Sequence, residues 1–302
     1  MTDDWRLGEA IASTVVLIRP ARHNDIPQIA SWTQLTFDWG DYVAEWLPKW
    51  LENPAVRVMV AEEDGAVIAT VTGTMVSPTE VWAQGIRVHP DHRRKGIATA
   101  VSSELWNWAR ERGAAVVRLA IDSTNTASQA QAGSMGFRKL CDWRRGERVI
   151  GEGSPVPEGN GGRRVPPPER LDTAHSAEAE PAYLSWSTGE LARAARGLFP
   201  VGWIWRRMTT PEPLLLAARN RDLYEGRPGW AIAEVDQDAL LVHWMETTED
   251  DAHAMALALV DLAAEAAVAK MKIWVPTVDW LEAAFIRLGF DFHTAGVWAL
   301  AL

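Results

Sequence analysis

The stretch Val81 to Ala98, VWAQGIRVHPDHRRKGIA, constrains this chain most, because it runs from an apolar strand pattern through a basic, glycine-containing turn into an amphipathic helix pattern. The predicted strand Val81 to Val88 stops at Pro90, which has no N–H to give to a ladder. Arg93, Arg94 and Lys95 then precede Gly96. From Ile97 onward the apolar residues Ile97, Ala98, Val101, Leu105, Trp108 and Ala109 recur at helical spacing, and Gly113 stands where a left-handed cap is expected. A helix N-terminus offers unpaired N–H groups and a partial positive charge. Three cations and a glycine that permits close approach make that end a phosphate site, with a pyrophosphate as the expected ligand. The spacing is not that of a Walker loop, and there is no Gly-x-Gly-x-x-Gly for a dinucleotide.

The pattern Arg93-x-x-Gly96-x-Ala98 resembles the acetyl-CoA loop of the GNAT superfamily of N-acetyltransferases, Arg/Gln-x-x-Gly-x-Gly/Ala between a strand and a helix. Its surroundings follow the same order. Ala115 to Ile121 is a short apolar run of buried-strand type, followed by Asn125-Thr-Ala-Ser128, a helical stretch and Gly136-Phe137. The resemblance covers roughly residues 15 to 150. It implies acetyl-CoA, or another acyl-CoA, held at Arg93, Arg94, Lys95, Gly96, Ile97, Ala98 and Thr99. It further implies that the strand ending at Val88 diverges from the next one, so that the backbone of Ile86, Arg87 and Val88 receives the pantetheine arm. Asn125 and Ser128 complete the implied cofactor set, although Asn125 reads equally well as the cap of its own helix.

Composition narrows the rest. A net charge of −10 and a pI near 5.2 argue against a nucleic-acid partner and fit a cationic acceptor. With Cys141 the only cysteine, neither a disulfide within the chain nor a cysteine-rich metal site is expected, and no metal is assigned. The acidic start MTDDWRLGEA has no signal-peptide core and no run reaches membrane-spanning length, so a cytoplasmic protein without a membrane partner is expected. Oligomeric state is not legible. The 17 tryptophans outnumber Phe and Tyr together, which calls for large apolar surfaces in cores, between domains or in a pocket.

In chain order, Thr14 to Ile18 reads as a first strand and Asp25 as the cap of the next helix. Ile26 to Leu51 reads as two helices carrying Trp32, Phe37, Trp39, Tyr42, Trp46 and Trp50 among Asp38, Asp41 and Glu45. These aromatics either pack on the sheet or line an aromatic, acidic acceptor pocket suited to an ammonium. Val56 to Ala61 and Ala66 to Val76 form a predicted hairpin across Asp64-Gly65. Lys139 to Ile150 reads as a hairpin around Arg145-Gly146 that closes a first domain, residues 1–150. The Gly- and Pro-rich stretch 151–170 reads as a linker.

Residues 171–302 repeat the order. Phe290 follows Phe137 at an offset of 153, and the predicted strand Lys272 to Pro276, a helix from about Val278 and Gly289-Phe290 copy their counterparts. Gly229 to Val235 and Ala239 to Met245 supply a hairpin across Asp236-Gln-Asp238, and a helix is predicted over Ala252 to Lys270. The same offset carries Arg93, Gly96 and Ala98 onto Glu246, Glu249 and Asp251, and carboxylates there repel a pyrophosphate. The expected fold class is therefore α/β in the α+β sense: two tandem GNAT-like domains, each a mixed, mainly antiparallel twisted sheet flanked by helices, the second without a phosphate loop.

The chemistry expected from the resemblance is N-acyl transfer, acetyl first among the donors, to a small-molecule or peptide amine by direct attack in a ternary complex. An ammonium must first lose a proton, and Glu80, Asp38 and Asp41 are the candidate carboxylates, with Gln84 able to orient a water. The family motif places a Tyr seven residues after the Asn to protonate the leaving thiolate; here that position is Ala132, and Tyr42, Ser134 or water are the substitutes. Glu80, Asp41 and Tyr42 form the catalytic candidate set. Two alternatives stay open: a non-catalytic acyl-CoA-binding protein, and a tandem acetyltransferase of the mycothiol synthase kind. A third reading makes the second half a structural or partner-binding module.

Overall fold

The computed structural model describes residues 16–34, 36, 40–151 and 169–302. Thr14 and Val15 of the expected first strand, Phe37, Asp38 and Trp39 of the acceptor segment, and 152–168 of the expected linker lie outside the described residues. The chain divides into two compact units, 1–117 with Leu302, and 118–301.

In the first unit β1 (Leu17–Pro20) is followed by α1 (Ile26–Thr33), α2 (Val43–Glu52), β2 (Val56–Glu63), β3 (Ala66–Ser77), β4 (Glu80–Val88) and α3 (Ile97–Glu111). The four strands pair antiparallel in sequence order. The β2–β3 turn closes at Asp64 and Gly65, both with positive φ, as the Asp-Gly pair predicts. Ile29, Val43, Leu47 and Trp50 from α1 and α2 pack with Val58 and Val60, whose alternation in β2 turns them to that face. On the other face Leu105 of α3 comes within 3.0 Å of where a Cβ on Gly73 would stand, so the glycine admits the helix. Asp25 holds the position before α1 but makes no side-chain cap there. Its carboxylate instead takes the Arg22 amide and two Arg19 donors, and that Arg19 hydrogen bonding holds it below the usual carboxylate range.

The second unit begins inside β5 (Val116–Asp122) and continues through α4 (Thr126–Ser134), β6 (Arg138–Val149), β7 (Asp172–Thr173), α5 (Ala179–Thr188), α6 (Glu190–Ala194), β8 (Leu198–Val201) and β9 (Ile204–Arg207). It closes with α7 (Glu212–Asn220), β10 (Leu223–Gly226), β11 (Gly229–Asp236), β12 (Ala239–Glu246), α8 (Ala252–Glu265), β13 (Lys270–Pro276), α9 (Asp279–Ile286) and β14 (Asp291–Ala301). Its strands lie in the order β5-β14-β6-β13-β12-β11-β10-β7, with β8 and β9 as a separate hairpin.

The internal repeat is physical: α4 and α9 begin at residues 126 and 279, and β6 and β14 at 138 and 291, in both cases 153 positions apart. The repeated strands are exchanged. β6 lies between β13 and β14, antiparallel to each, so a strand from before the Gly/Pro-rich stretch is paired on both edges by strands from after it. That pairing corrects the expected hairpin over Lys139 to Ile150, which is the single strand β6. Gly146 does not turn the chain. A Cβ there would stand 2.7 Å from the Phe292 ring and 2.8 Å from Ile273, so glycine makes room for both neighbours. α8 is also shorter than its apolar pattern suggests: Ala267 takes positive φ and Lys270 already pairs with Ala239 in the parallel β12–β13 ladder. Among the described residues no helix is long and apolar enough to cross a membrane.

Candidate functional site

The phosphate-loop sequence adopts a conformation that few side chains permit. After β4 the His89 imidazole accepts the Asp91 amide, and the chain makes one tight 3-10 turn over Pro90–His92. Arg94 and Gly96 then take φ of +63° and +77°. Nothing stands within 4 Å of a Cβ on Gly96, so glycine is required there by backbone angle and not by crowding. Gly96 occupies the cap position of α3 without a side-chain cap, which leaves the first N–H groups of the helix, at Ile97, Ala98 and Thr99, facing outward. Ile97 is buried and anchors the turn, while Arg93, Arg94 and Lys95 are exposed. Arg93 Nε donates to Val88 O at 3.2 Å, folding that guanidinium back on the strand end. His92 Nδ1 lies 3.0 Å from Glu63 Oε2, tying the turn to β2.

Just before the loop, β4 bulges. Thr70 pairs with Arg87 and Thr72 with Gln84, so Gly85 and Ile86 together oppose Val71, and Gly85 takes φ of +65°. Its missing Cβ sits 3.4 Å from Val43 and 3.6 Å from Trp50, bringing the backbone against α2. The His89 amide bonds Ile68 O, so by strand alternation Ile86 and Val88 turn their backbone groups to the edge away from β3.

Residues 26–137 match the profile described as the Acetyltransferase (GNAT) family. The chain carries a GNAT domain. A GCN5-related N-acetyltransferase from Sphaerobacter thermophilus superposes over 95% of this chain and 95% of its own, with a TM-score of 0.65 at 15% identity. A putative acetyltransferase from Thermoplasma acidophilum covers 95% of this chain and 100% of its own, at 0.60 and 14%. A tandem GNAT protein from the clavulanic acid biosynthesis pathway covers 95% and 98%, at 0.58 and 15%. At such identities these likenesses establish the GNAT fold over nearly the whole chain. No curated protein sequence matches.

The GNAT domain gathers three of the predicted residues at its bulge. Arg87 Nε donates to Asp41 Oδ2 at 2.6 Å, and Asp41 Oδ1 also accepts the Val43 amide at the start of α2. Tyr42 lies with its ring 5.5 Å from the Arg87 guanidinium and edge-on to Trp50 at 6.1 Å. Burial pushes the Tyr42 phenol up, with the Arg87 charge and the Gly85 amide opposing. Trp32 is edge-on to His89 at 5.9 Å. Glu80 is not part of this group. It begins β4, eight residues and about 26 Å of extended chain before Val88, and is buried and engaged by its surroundings.

Asn125 and Ser128 lie in the second unit, where Asn125 Oδ1 accepts the Ser128 amide at 3.0 Å and caps α4. Ala132 is buried in the same helix. The second half's counterpart of the loop carries Glu246, Glu249, Asp250 and Asp251 in place of the cations. Glu246 ends β12 buried, with Ser185 donating to Oε1 at 2.9 Å and Oε2 without a partner, and burial raises its pKa to about 7. Among the described residues no group of three or more His, Cys, Asp or Glu is placed to hold a metal.

Sequence reasoning missed the bulge and the Arg87–Asp41 pair. Gly85 inside a strand pattern was the available signal for the first. The second joins residues 46 apart, which no local pattern reports.

Proposed function

We propose that the protein transfers an acyl group, acetyl first among them, from acyl-CoA to the amine of a small molecule or peptide in a ternary complex. The observation that carries this is the loop at the start of α3, where Arg94 and Gly96 take positive φ, no side chain caps the helix, and Arg94 and Lys95 stand exposed beside its first amides. A pyrophosphate is bound there by the Arg93–Thr99 segment. The pantetheine amides follow the outward backbone of Ile86 and Val88, as an added strand pairs with an edge.

The amine nitrogen attacks the thioester carbonyl, forming the N–C bond, and collapse breaks the C–S bond. The amine's surplus proton passes to water or a carboxylate, and the thiolate receives one. Both Asp41 oxygens are engaged, by Arg87 and by the α2 amide, so its role is to position Arg87 and α2. Tyr42 is the proton donor for the thiolate, standing in for the family tyrosine that Ala132 lacks. Its phenol is held protonated by burial. Calorimetric titration with acetyl-CoA, followed by an amine panel read by thiol release, tests the reading. One equivalent bound and turnover that drops at least tenfold in Tyr42→Phe, with acetyl-CoA affinity kept, supports it; no binding by the wild type overturns it.

Ala132 and the pairing of Asp41 with Arg87 favour one second reading, an acyl-CoA-binding protein without transfer. Tight acetyl-CoA binding with no thiol release across the panel selects it.

A further inference from the structure

The parallel ladder between β12 and β13 is short. Pairing runs from Ala239 and Lys270 to Val242 and Ile273, yet β12 continues to Glu246 and β13 to Pro276. The two strands therefore part, and the first residue past the last pair is His243 on one and Trp274 on the other. Such an opening exposes unpaired N–H and C=O groups, which suits an extended arm that carries amides.

The side chains at both lips are contacted by one segment, the β8–β9 hairpin. Gly202 at its tip donates its N–H to His243 Nδ1 at 3.3 Å, and His243 Nε2 lies 2.8 Å from Glu234 Oε1, which fixes the imidazole with its hydrogen on Nε2. Trp203 and Trp205 each meet Trp274 edge-on at 4.7 Å, and Trp205 meets Trp143 of β6 at 6.1 Å. Arg145 lies over the Trp203 ring at 5.5 Å. Trp205 is fully buried by these contacts, although it stands in a hairpin that forms no strand pair with the main sheet.

We infer that the β8–β9 hairpin is a built-in occupant of the β12–β13 opening, latched through Gly202–His243 on one lip and the Trp203–Trp205–Trp274 cluster on the other, which closes the second half to a pantetheine arm. The closure is steric and separate from the acidic turn at Glu249–Asp251, which repels phosphate. For the number of acyl-CoA molecules per chain it rests on the proposed function of the first half; the occupied opening itself does not.

Two measurements on the full chain test it. The first needs no ligand: native-state hydrogen exchange should show a protected Gly202 amide that speeds about fivefold or more in His243→Ala, while α8 and β13 amides stay unchanged. A Gly202 amide that exchanges at the unfolded rate in the wild type overturns the latch. The second uses acetyl-CoA and S-acetylpantetheine, the latter lacking the phosphates that the acidic turn would repel. Neither ligand should alter exchange in 198–207 or 243–246. Protection or release there by either ligand means that the opening admits an arm, and the inference falls. If the wild type binds neither ligand in the loop at 93–99, the proposed function fails while the exchange of Gly202 still decides the latch.

Discussion

Arg87 Nε sits 2.6 Å from Asp41 Oδ2, and the Asp41 side chain is wholly inaccessible. The pair joins the bulged end of β4 to the start of α2, and each charge is tolerable there only because of the other. Removing one partner of a buried pair costs about 3 kcal/mol or more, because the remaining charge is left uncompensated. Asp41→Ala is expected to lose about that much stability in urea denaturation. An Asp41→Ala protein that keeps its stability and loses only turnover would instead make Asp41 a catalytic base.

The loop glycine is predicted to act through backbone angle. Gly96→Ala places a Cβ in open space but at a φ of +77°, a strain of about 1 kcal/mol. Acetyl-CoA affinity should fall several-fold with overall stability nearly unchanged. Arg93→Glu/Gly96→Glu, which copies the acidic turn of the second half, should abolish calorimetric binding. Retained binding in the double variant would move the cofactor elsewhere in the chain.

Glu246 ties stability to pH. Its folded pKa of about 7 lies above the ordinary value of 4.5, chiefly through burial. The folded state therefore holds a proton that the unfolded chain has released between pH 4.5 and 7, and stability falls as pH rises through that window, with no further loss above it. The shift corresponds to about 2 to 3 kcal/mol after allowance for solvent screening. Glu246→Gln should flatten the slope and exceed the wild type in stability at pH 8. Parallel wild-type and variant curves from pH 5 to 8 would show that the carboxyl is solvated.

Strand exchange makes the halves inseparable. A chain cut after residue 150 leaves β6 without β13 and β14, both of its edges open and no β14 for the second unit. That fragment is expected to aggregate on expression, and co-expression with residues 169–302 should recover soluble protein. A soluble, monomeric fragment that binds acetyl-CoA would show the exchange to be dispensable. Gly146→Ala probes the same seam: a Cβ 2.7 Å from Phe292 should cost about 1 to 3 kcal/mol by overpacking, measured in denaturant.

Local chemistry settled much of this protein before any tertiary contact. Pro90, the cations and Gly96 set the strand, turn and helix start, because backbone angles and helix-end charges act within a few residues. Asp64-Gly65 likewise set its hairpin, and the offset of 153 between Phe137 and Phe290 announced the repeat. The strand order was not legible. The pattern of β6 gives its faces but not its neighbours, and Arg145-Gly146 looks like a turn until Phe292 and Ile273 are seen to need the space. Nor could any local pattern bring Asp41 to Arg87, or lay Trp205 on Trp274 across 69 residues of chain, from 205 to 274. Propensity and periodicity are properties of neighbours in sequence. Which edge a strand meets, which charge is neutralised and which opening is filled depend on neighbours in space, and only the tertiary structure decided them.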